Sequence, residues 1–448
     1  MKAYYLGVAA LAMSLPVQAQ MPLSMTEARN PTVPPVLPLR DQAALRDAWL
    51  AERLDSVVPK LMREHGIDMW VLVAREYMED TVVATMLDAE SMHARRRTIL
   101  VFYDPGNGKP IERLTVSRYG LGTLFAAAWT PETQPDQWKR LAQLIAERNP
   151  KKIGLNISPR TAFGDGLTHG QYQDLVAALT PDQRARIVSA EPLAVGWLET
   201  RIPAEMKMYP QIVRTAHAII AEGLSNAVIT PGKTTADDVV WWYRERIAGL
   251  KLDTWFQPSV HIFRKGEAND ISGDVVIQPG DMLWTDFGIT YLGLNTDTQH
   301  LAYVLKADER DAPAGLRAGM AAGNAVMNAL TSSFKTGLTG NEMLAAARSK
   351  ASAAGLNPTI YSHPIGYHGH AAGSAIGFWD NQQPGPSGNH PLRADTAWSI
   401  ELSATVKVPE WDDQSVVFRR EEDAFFDGKT VQYLDGRQTE FHLIANKP

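Results

Sequence analysis

The stretch Trp284-Thr285-Asp286-Phe287-Gly288-Ile289-Thr290-Tyr291-Leu292-Gly293-Leu294-Asn295-Thr296-Asp297 carries two acidic residues in an otherwise apolar setting. Met282–Phe287 reads as a buried strand, Tyr291–Asn295 as a turn, and Leu301–Leu305 as the return strand. A hairpin of that length brings Asp286 and Asp297 side by side on one face. Further along stand His363, then Glu401 inside the apolar run Ala397-Trp398-Ser399-Ile400-Glu401-Leu402, and Glu422 in the acidic triplet Glu421-Glu422-Asp423. Four carboxylates carry a formal −4, which two divalent cations cancel, and a neutral imidazole adds a ligand without charge. An unpaired carboxylate in a strand as apolar as that of Glu401 costs several kcal/mol (roughly, by desolvation), so a cation must neutralise it. Within the triplet, Glu421 is the other candidate for the last position.

In this order the residues resemble the metallopeptidases of the creatinase, or "pita-bread", fold, which include methionine aminopeptidase, prolidase and Xaa-Pro aminopeptidase. The resemblance rests on Gly280-Asp281, Thr285-Asp286-Phe287-Gly288, Asp297, His363-Pro364-Ile365-Gly366 with His370 beyond it, Ser399-Ile400-Glu401, and Arg420-Glu421-Glu422-Asp423. It implies an α+β architecture: a C-terminal pita-bread catalytic domain behind an N-terminal α/β domain. It also implies a dinuclear centre in which Asp286 chelates one metal, Asp297 and Glu422 bridge both, and His363 with Glu401 complete the second. Manganese is the metal the family favours; zinc, cobalt and iron suit the same oxygen-rich set. His370 matches a histidine that contacts the substrate and stabilises the tetrahedral intermediate, and Arg420 an arginine that orients carboxylates near the metals. His368 lines the same loop without an assigned role.

The departures bear on substrate. Ala268-Asn269-Asp270 stands where the family carries a histidine for the substrate amide, with His261 further upstream. Thr298-Gln299-His300 replaces a Thr-Arg-Thr pattern, Ala371 follows His370 where a glutamate is common, and Leu402-Ser403 follows Glu401 in place of Pro-Gly. The expected activity is removal of an N-terminal residue from short peptides, preferentially before proline. A creatinase-type hydrolase of a C–N bond and a catalytically silent binding protein are the alternatives.

The remaining sequence frames this reading. The chain has 448 residues, a formal charge of −6 and 45% hydrophobic content, values of an ordinary globular protein with no basic face for nucleic acid. Residues 1–19 read as a secretory signal: Lys2, an apolar Leu6–Leu15, and the small-residue site Val17-Gln18-Ala19. Cysteine is absent, which removes disulfides, thiolate nucleophiles and Cys-type zinc sites. A periplasmic or secreted location is therefore expected, with no membrane association after signal removal. Residues 20–39 form an extended proline-rich segment, 40–202 an α/β domain of alternating helices and strands, and 203–448 the metallopeptidase domain. Within the metallopeptidase domain a helix pair followed by strands occurs twice: 208–227 and 237–249 before the first strands, 314–333 and 341–354 before the second. Thr235/Asp238 and Thr339/Glu342 open the second helix of each pass as capping boxes. Gly106-Asn107-Gly108-Lys109 is a turn, because Pro110 stands where a phosphate loop needs Ser or Thr. Members of the resembled branch associate, so a homodimer or larger assembly is expected.

Overall fold

A computed structural model describes residues 32–370 and 372–446. The signal segment, most of the proline-rich stretch and Ala371 lie outside them. Among the described residues no helix is long and apolar enough to cross a membrane. Residues 32–38 are extended, as their prolines require, and the Leu37 amide donates to the Tyr291 hydroxyl at 2.9 Å.

The N-terminal half is built on a six-stranded sheet. Its strands are β1 (Met69–Arg75), β2 (Arg97–Tyr103), β3 (Glu112–Thr115), β4 (Ala126–Ala127), β5 (Ile153–Leu155) and β6 (Ile187–Ser189), in the spatial order β4-β3-β2-β1-β5-β6. β1 is buried on both faces up to Arg75, as its run Met-Trp-Val-Leu-Val-Ala anticipates. The helix Leu39–His65 precedes it and ends on Gly66 in the left-handed conformation, which glycine adopts without a Cβ penalty.

The C-terminal half carries a nine-stranded sheet. Its members are β7 (Ser259–Phe263), β8 (Met282–Phe287), β11 (Thr298–Val304), β12 (Pro358–Ile360), β13 (His363–Ile365), β14 (Thr396–Val408), β15 (Gln414–Phe426), β16 (Val431–Tyr433) and β17 (His442–Ile444); β9 (Thr290–Tyr291) and β10 (Leu294–Asn295) pair separately in the intervening hairpin. The order β12-β14-β15-β11-β8-β7 is antiparallel throughout. Two helix pairs pack behind it, Tyr209–Gly223 with Ala236–Gly249 and Ala314–Thr331 with Gly340–Ala353, and both expected capping boxes are formed. This is the mixed helix-and-strand architecture of the pita-bread fold.

The two halves are joined through buried charge. Arg53 of the first helix lies 3.0 Å from Glu205 and donates to the Thr200 carbonyl, while Tyr367 donates to Glu205 at 2.8 Å. Tyr367 sits in the loop between His363 and His370. The N-terminal half therefore braces the histidine loop of the C-terminal one.

Candidate metal centre

The register of the nine-stranded sheet aligns Ser259, Asp286, Gln299, Glu421 and Glu401 directly across β7, β8, β11, β15 and β14. Opposed residues in antiparallel strands project to one face, so these side chains form a single polar row. Asp297, the residue before β11, joins it through the hairpin. There Leu292 (φ 57°) and Gly293 (φ 82°) make the two-residue turn with positive φ at both positions that suits tightly paired strands. Gly288 lets the arms close, since a Cβ there would collide with the Thr296 carbonyl. The Asp297 amide donates to Asp423 at 3.1 Å, fixing its backbone.

Ligand atoms of Asp286, Asp297 and Glu421 lie within 4.8 Å of one another, as do those of His363, Glu401 and Glu421. Glu421 belongs to both groups. It is the carboxylate in the middle of the cage, with Ser399 donating to it. Glu422 is not there: it pairs with Ile400 across β14 and β15 and faces the opposite side of the sheet, toward His217 and His300. The expected assignment of the last position to Glu422 is thus corrected to Glu421, because adjacent residues in a strand point to opposite faces. Arg420 moves with it, fully buried on the far face with its Nη2 3.4 Å from Glu422 Oε1 and its Nη1 3.0 Å from Gln438 Oε1. Arg419 takes the cage side instead. Its guanidinium packs over Trp284, bonds Asp270 at 3.2 Å, and its charge acts on Asp286 and Glu401.

His363 Nδ1 lies 3.1 Å from the Pro364 carbonyl, an acceptor that keeps the proton on Nδ1. Its Nε2 is buried without a hydrogen-bond partner, 3.7 Å from Asp297 Oδ2, and Asp286 Oδ1 is likewise orphaned. A lone pair and a carboxylate oxygen left bare in a buried cluster of four carboxylates fit divalent cations. His370 stands at the exposed rim, its ring 4.5 Å from that of His363 and 4.9 Å from Trp255. His368 is buried against Phe163 of the N-terminal half.

Sequence reasoning noted several neighbours only as departures from the family pattern, without placing them at the cage. Gln299 donates to Glu401 at 2.9 Å and is held by the Trp284 indole at 3.0 Å. Its place in the pattern Asp297-Thr298-Gln299 was the signal, since alternation puts it beside the cage. Asn269 is exposed, while its neighbour Asp270 turns inward to lie 2.7 Å from His261 Nδ1. His261 is opposite Trp284 and shares the face of the polar row. The histidine on this side of the cage is thus His261, supplied by β7 rather than by the following loop.

A profile of metallopeptidase family M24 matches residues 211–429, a span that holds all the cage residues. This domain belongs to metallopeptidase family M24. The M24 domain makes the protein a metal-dependent hydrolase, and solved structures extend the likeness of fold over the N-terminal half. X-Pro aminopeptidase from Thermotoga maritima MSB8 superposes with a TM-score of 0.60 at 15% identity, covering 86% of this chain and 99% of that one. Xaa-Pro dipeptidase from Bacillus anthracis gives 0.58 at 17%, covering 88% and 99%, and a dipeptidase from Pyrococcus horikoshii OT3 gives 0.57 at 18% with the same coverage. At these identities the likeness is one of fold. No curated protein matches the chain in sequence.

The electrostatics of the M24 cage yield a prediction. Burial pushes Asp286 up to about 7, and burial with the neighbouring Asp286 charge pushes Glu401 up to about 8; burial and the charges of Asp286, Glu401 and Asp423 raise Asp297 well above the carboxylate range, and burial with the charges of Asp297, Glu401 and Asp286 does the same to Glu421. Without metal, the folded cage holds protons that the unfolded chain has released above about pH 4. Stability from these groups is therefore present at low pH and lost as pH rises through the folded values. Chelator-treated protein is expected to melt at a lower temperature at pH 8 than at pH 5.5, and manganese to restore the loss at pH 8 with proton release. A metal-free melting temperature that rises over that interval would contradict this account.

Proposed function

We propose that the protein is a dinuclear metallopeptidase that hydrolyses the N-terminal peptide bond of short peptides, with Xaa-Pro bonds the preferred class. In this reading Asp286, Asp297, His363, Glu401 and Glu421 hold two divalent ions, manganese by family resemblance. When bound, the ions supply Lewis-acid polarisation of the scissile carbonyl and activation of water. The single observation that carries the proposal is the cross-strand carboxylate row with its orphaned His363 Nε2 and Asp286 Oδ1.

The chain's own residues supply the rest. Gln299 and Ser399 orient Glu401 and Glu421 by donating to them. Arg419 offsets part of the cage charge from the side. His370, between Trp255 and His363, is placed to donate to an oxyanion developing at the rim. Tyr361, stacked on Phe378 at 5.3 Å and beside His370, gives that rim an apolar wall suited to a compact ring such as proline. We further propose that the enzyme works outside the cytoplasm, on the reading of residues 1–19 as a signal, and as a homodimer or larger assembly.

The test is hydrolysis of an Xaa-Pro dipeptide panel and of longer peptides by the manganese-loaded protein. Release of the N-terminal residue from Xaa-Pro substrates is expected; a fully loaded protein that cleaves none of them would end this reading. His261 provides a sharper check. It shares the cage face and carries an Asp270 partner, so His261→Ala should lower kcat on Xaa-Pro substrates by ~10²-fold, the lower range for a lost acid–base group. Asn269→His, in an exposed loop position, should leave kcat within two- to three-fold, roughly, of the parent. The reverse pattern would return the role to the loop.

A further inference from the structure

Behind the catalytic cage, on the opposite face of the same strands, His217, His300 and Glu422 converge. His217 comes from the helix Tyr209–Gly223, His300 from β11 and Glu422 from β15. One ligand atom from each lies within 4.8 Å of the others. We propose that these three residues bind a third divalent cation of the zinc class, at a site separate from the peptidase centre.

Two observations point to a ligand. The first is orphaned polarity: His217 Nε2, His300 Nε2 and Glu422 Oε2 are all buried without a hydrogen-bond partner. Their side chains are 12%, 6% and 0% exposed. Glu422 spends its other oxygen, Oε1, on the Gln438 amide at 2.6 Å and on Arg420 at 3.4 Å. Oε2 is left facing His217, while His300 Nε2 stands on the Oε1 side.

The second is tautomer control. Asp435 Oδ2 lies 3.1 Å from His217 Nδ1, and a carboxylate can only accept, so Nδ1 carries a proton and the neutral ring turns its Nε2 lone pair toward Glu422. His300 Nδ1 lies 3.2 Å from His442 Nε2; with the proton on Nδ1, His300 also turns a lone pair toward Glu422. A histidine whose far nitrogen is fixed by a carboxylate is the usual outer support of a zinc ligand.

The spacing agrees with a metal better than with a direct bond. His217 Nε2 is 3.3 Å from Glu422 Oε2, and His300 Nε2 is 3.3 Å from Glu422 Oε1. Charge-assisted N–H···O bonds run shorter, at about 2.7–2.9 Å. Two ligands on a tetrahedral zinc with bonds of about 2.0–2.1 Å stand roughly 3.3–3.4 Å apart, which is the separation of the two unpartnered atoms His217 Nε2 and Glu422 Oε2. The competing arrangement is a doubly protonated His217 bridging Asp435 and Glu422, with no cation. The proposal does not depend on the cage acting as a peptidase.

The experiment uses full-length Asp297→Ala protein, in which the cage is disabled, stripped with chelator and reloaded with zinc. After desalting, one zinc per chain is expected by elemental analysis, and cobalt(II) in its place should give the visible absorption of a tetrahedral ion. Adding His217→Ala should remove both signals while circular dichroism stays that of the folded protein. If that double variant does not fold, Asp297→Ala with His300→Gln gives the same readout. Absence of retained zinc and of cobalt absorption in Asp297→Ala itself overturns the proposal, as does one zinc kept after His217 is removed.

Discussion

Glu421→Ala is expected to abolish manganese retention and lower turnover by at least ~10³-fold, whereas Glu422→Gln should keep most of its manganese-dependent turnover and lose stability instead. The contrast follows from strand geometry. Glu421 faces Asp286, Asp297, Glu401 and His363, and it is shared by two of the ligand groupings. In the proposed dinuclear centre its removal would deprive both cations of a carboxylate and leave their repulsion uncompensated. Glu422 faces away and neutralises buried Arg420, so its loss strands a buried charge at a cost of about 3–5 kcal/mol. Elemental analysis, Xaa-Pro hydrolysis and thermal melts of the two variants decide the matter. A Glu422 variant that loses the cage metals while the Glu421 variant keeps them would reverse the register assignment.

Asp297→Ala is expected to abolish retention of both cage metals and all hydrolysis while the fold persists. Asp297 lies among Asp286, Glu421 and His363, so it is placed to bridge. In the metal-free protein its charge is crowded by Asp286, Glu401 and Asp423, and burial already disfavours its ionised form. Substitution therefore relieves repulsion, and the backbone hydrogen bond from residue 297 to Asp423 survives because it comes from the amide. Circular dichroism should match the parent, with manganese content and peptide release near zero. Normal metal content and turnover would remove Asp297 from the centre.

Much of the fold was legible in local patterns. The capping boxes at Thr235 and Thr339 and a turn within Tyr291–Asn295 each specify backbone geometry over a few residues, and the boxes formed where the pattern placed them, with the turn narrowed to Leu292-Gly293. Asp286, Asp297, His363 and Glu401 were legible because their order and apolar surroundings leave few other uses for a buried carboxylate or imidazole. The last acidic position was not. Arg419-Arg420-Glu421-Glu422 offers the Arg-x-Glu spacing twice, one residue out of step, and both faces of β15 are buried near it. Which glutamate faces the cage depends on the register of β14 against β15, set by the turn through Pro409–Asp413, and a one-residue slip exchanges the two faces.

The sequence by itself determined the chemical inventory: the acidic hairpin, the later histidine and glutamates and the absence of cysteine, which point to a cation-holding site, and their order, which resembles the pita-bread hydrolases. Only the tertiary structure decided which face each residue serves. It put Glu421 and Arg419 with the cage, Glu422 and Arg420 behind it, and His217 from a distant helix beside His300. Pairing across strands and packing of helices on a sheet are long-range choices, and no local run of residues records which of two adjacent side chains will be turned toward a site assembled from five different elements.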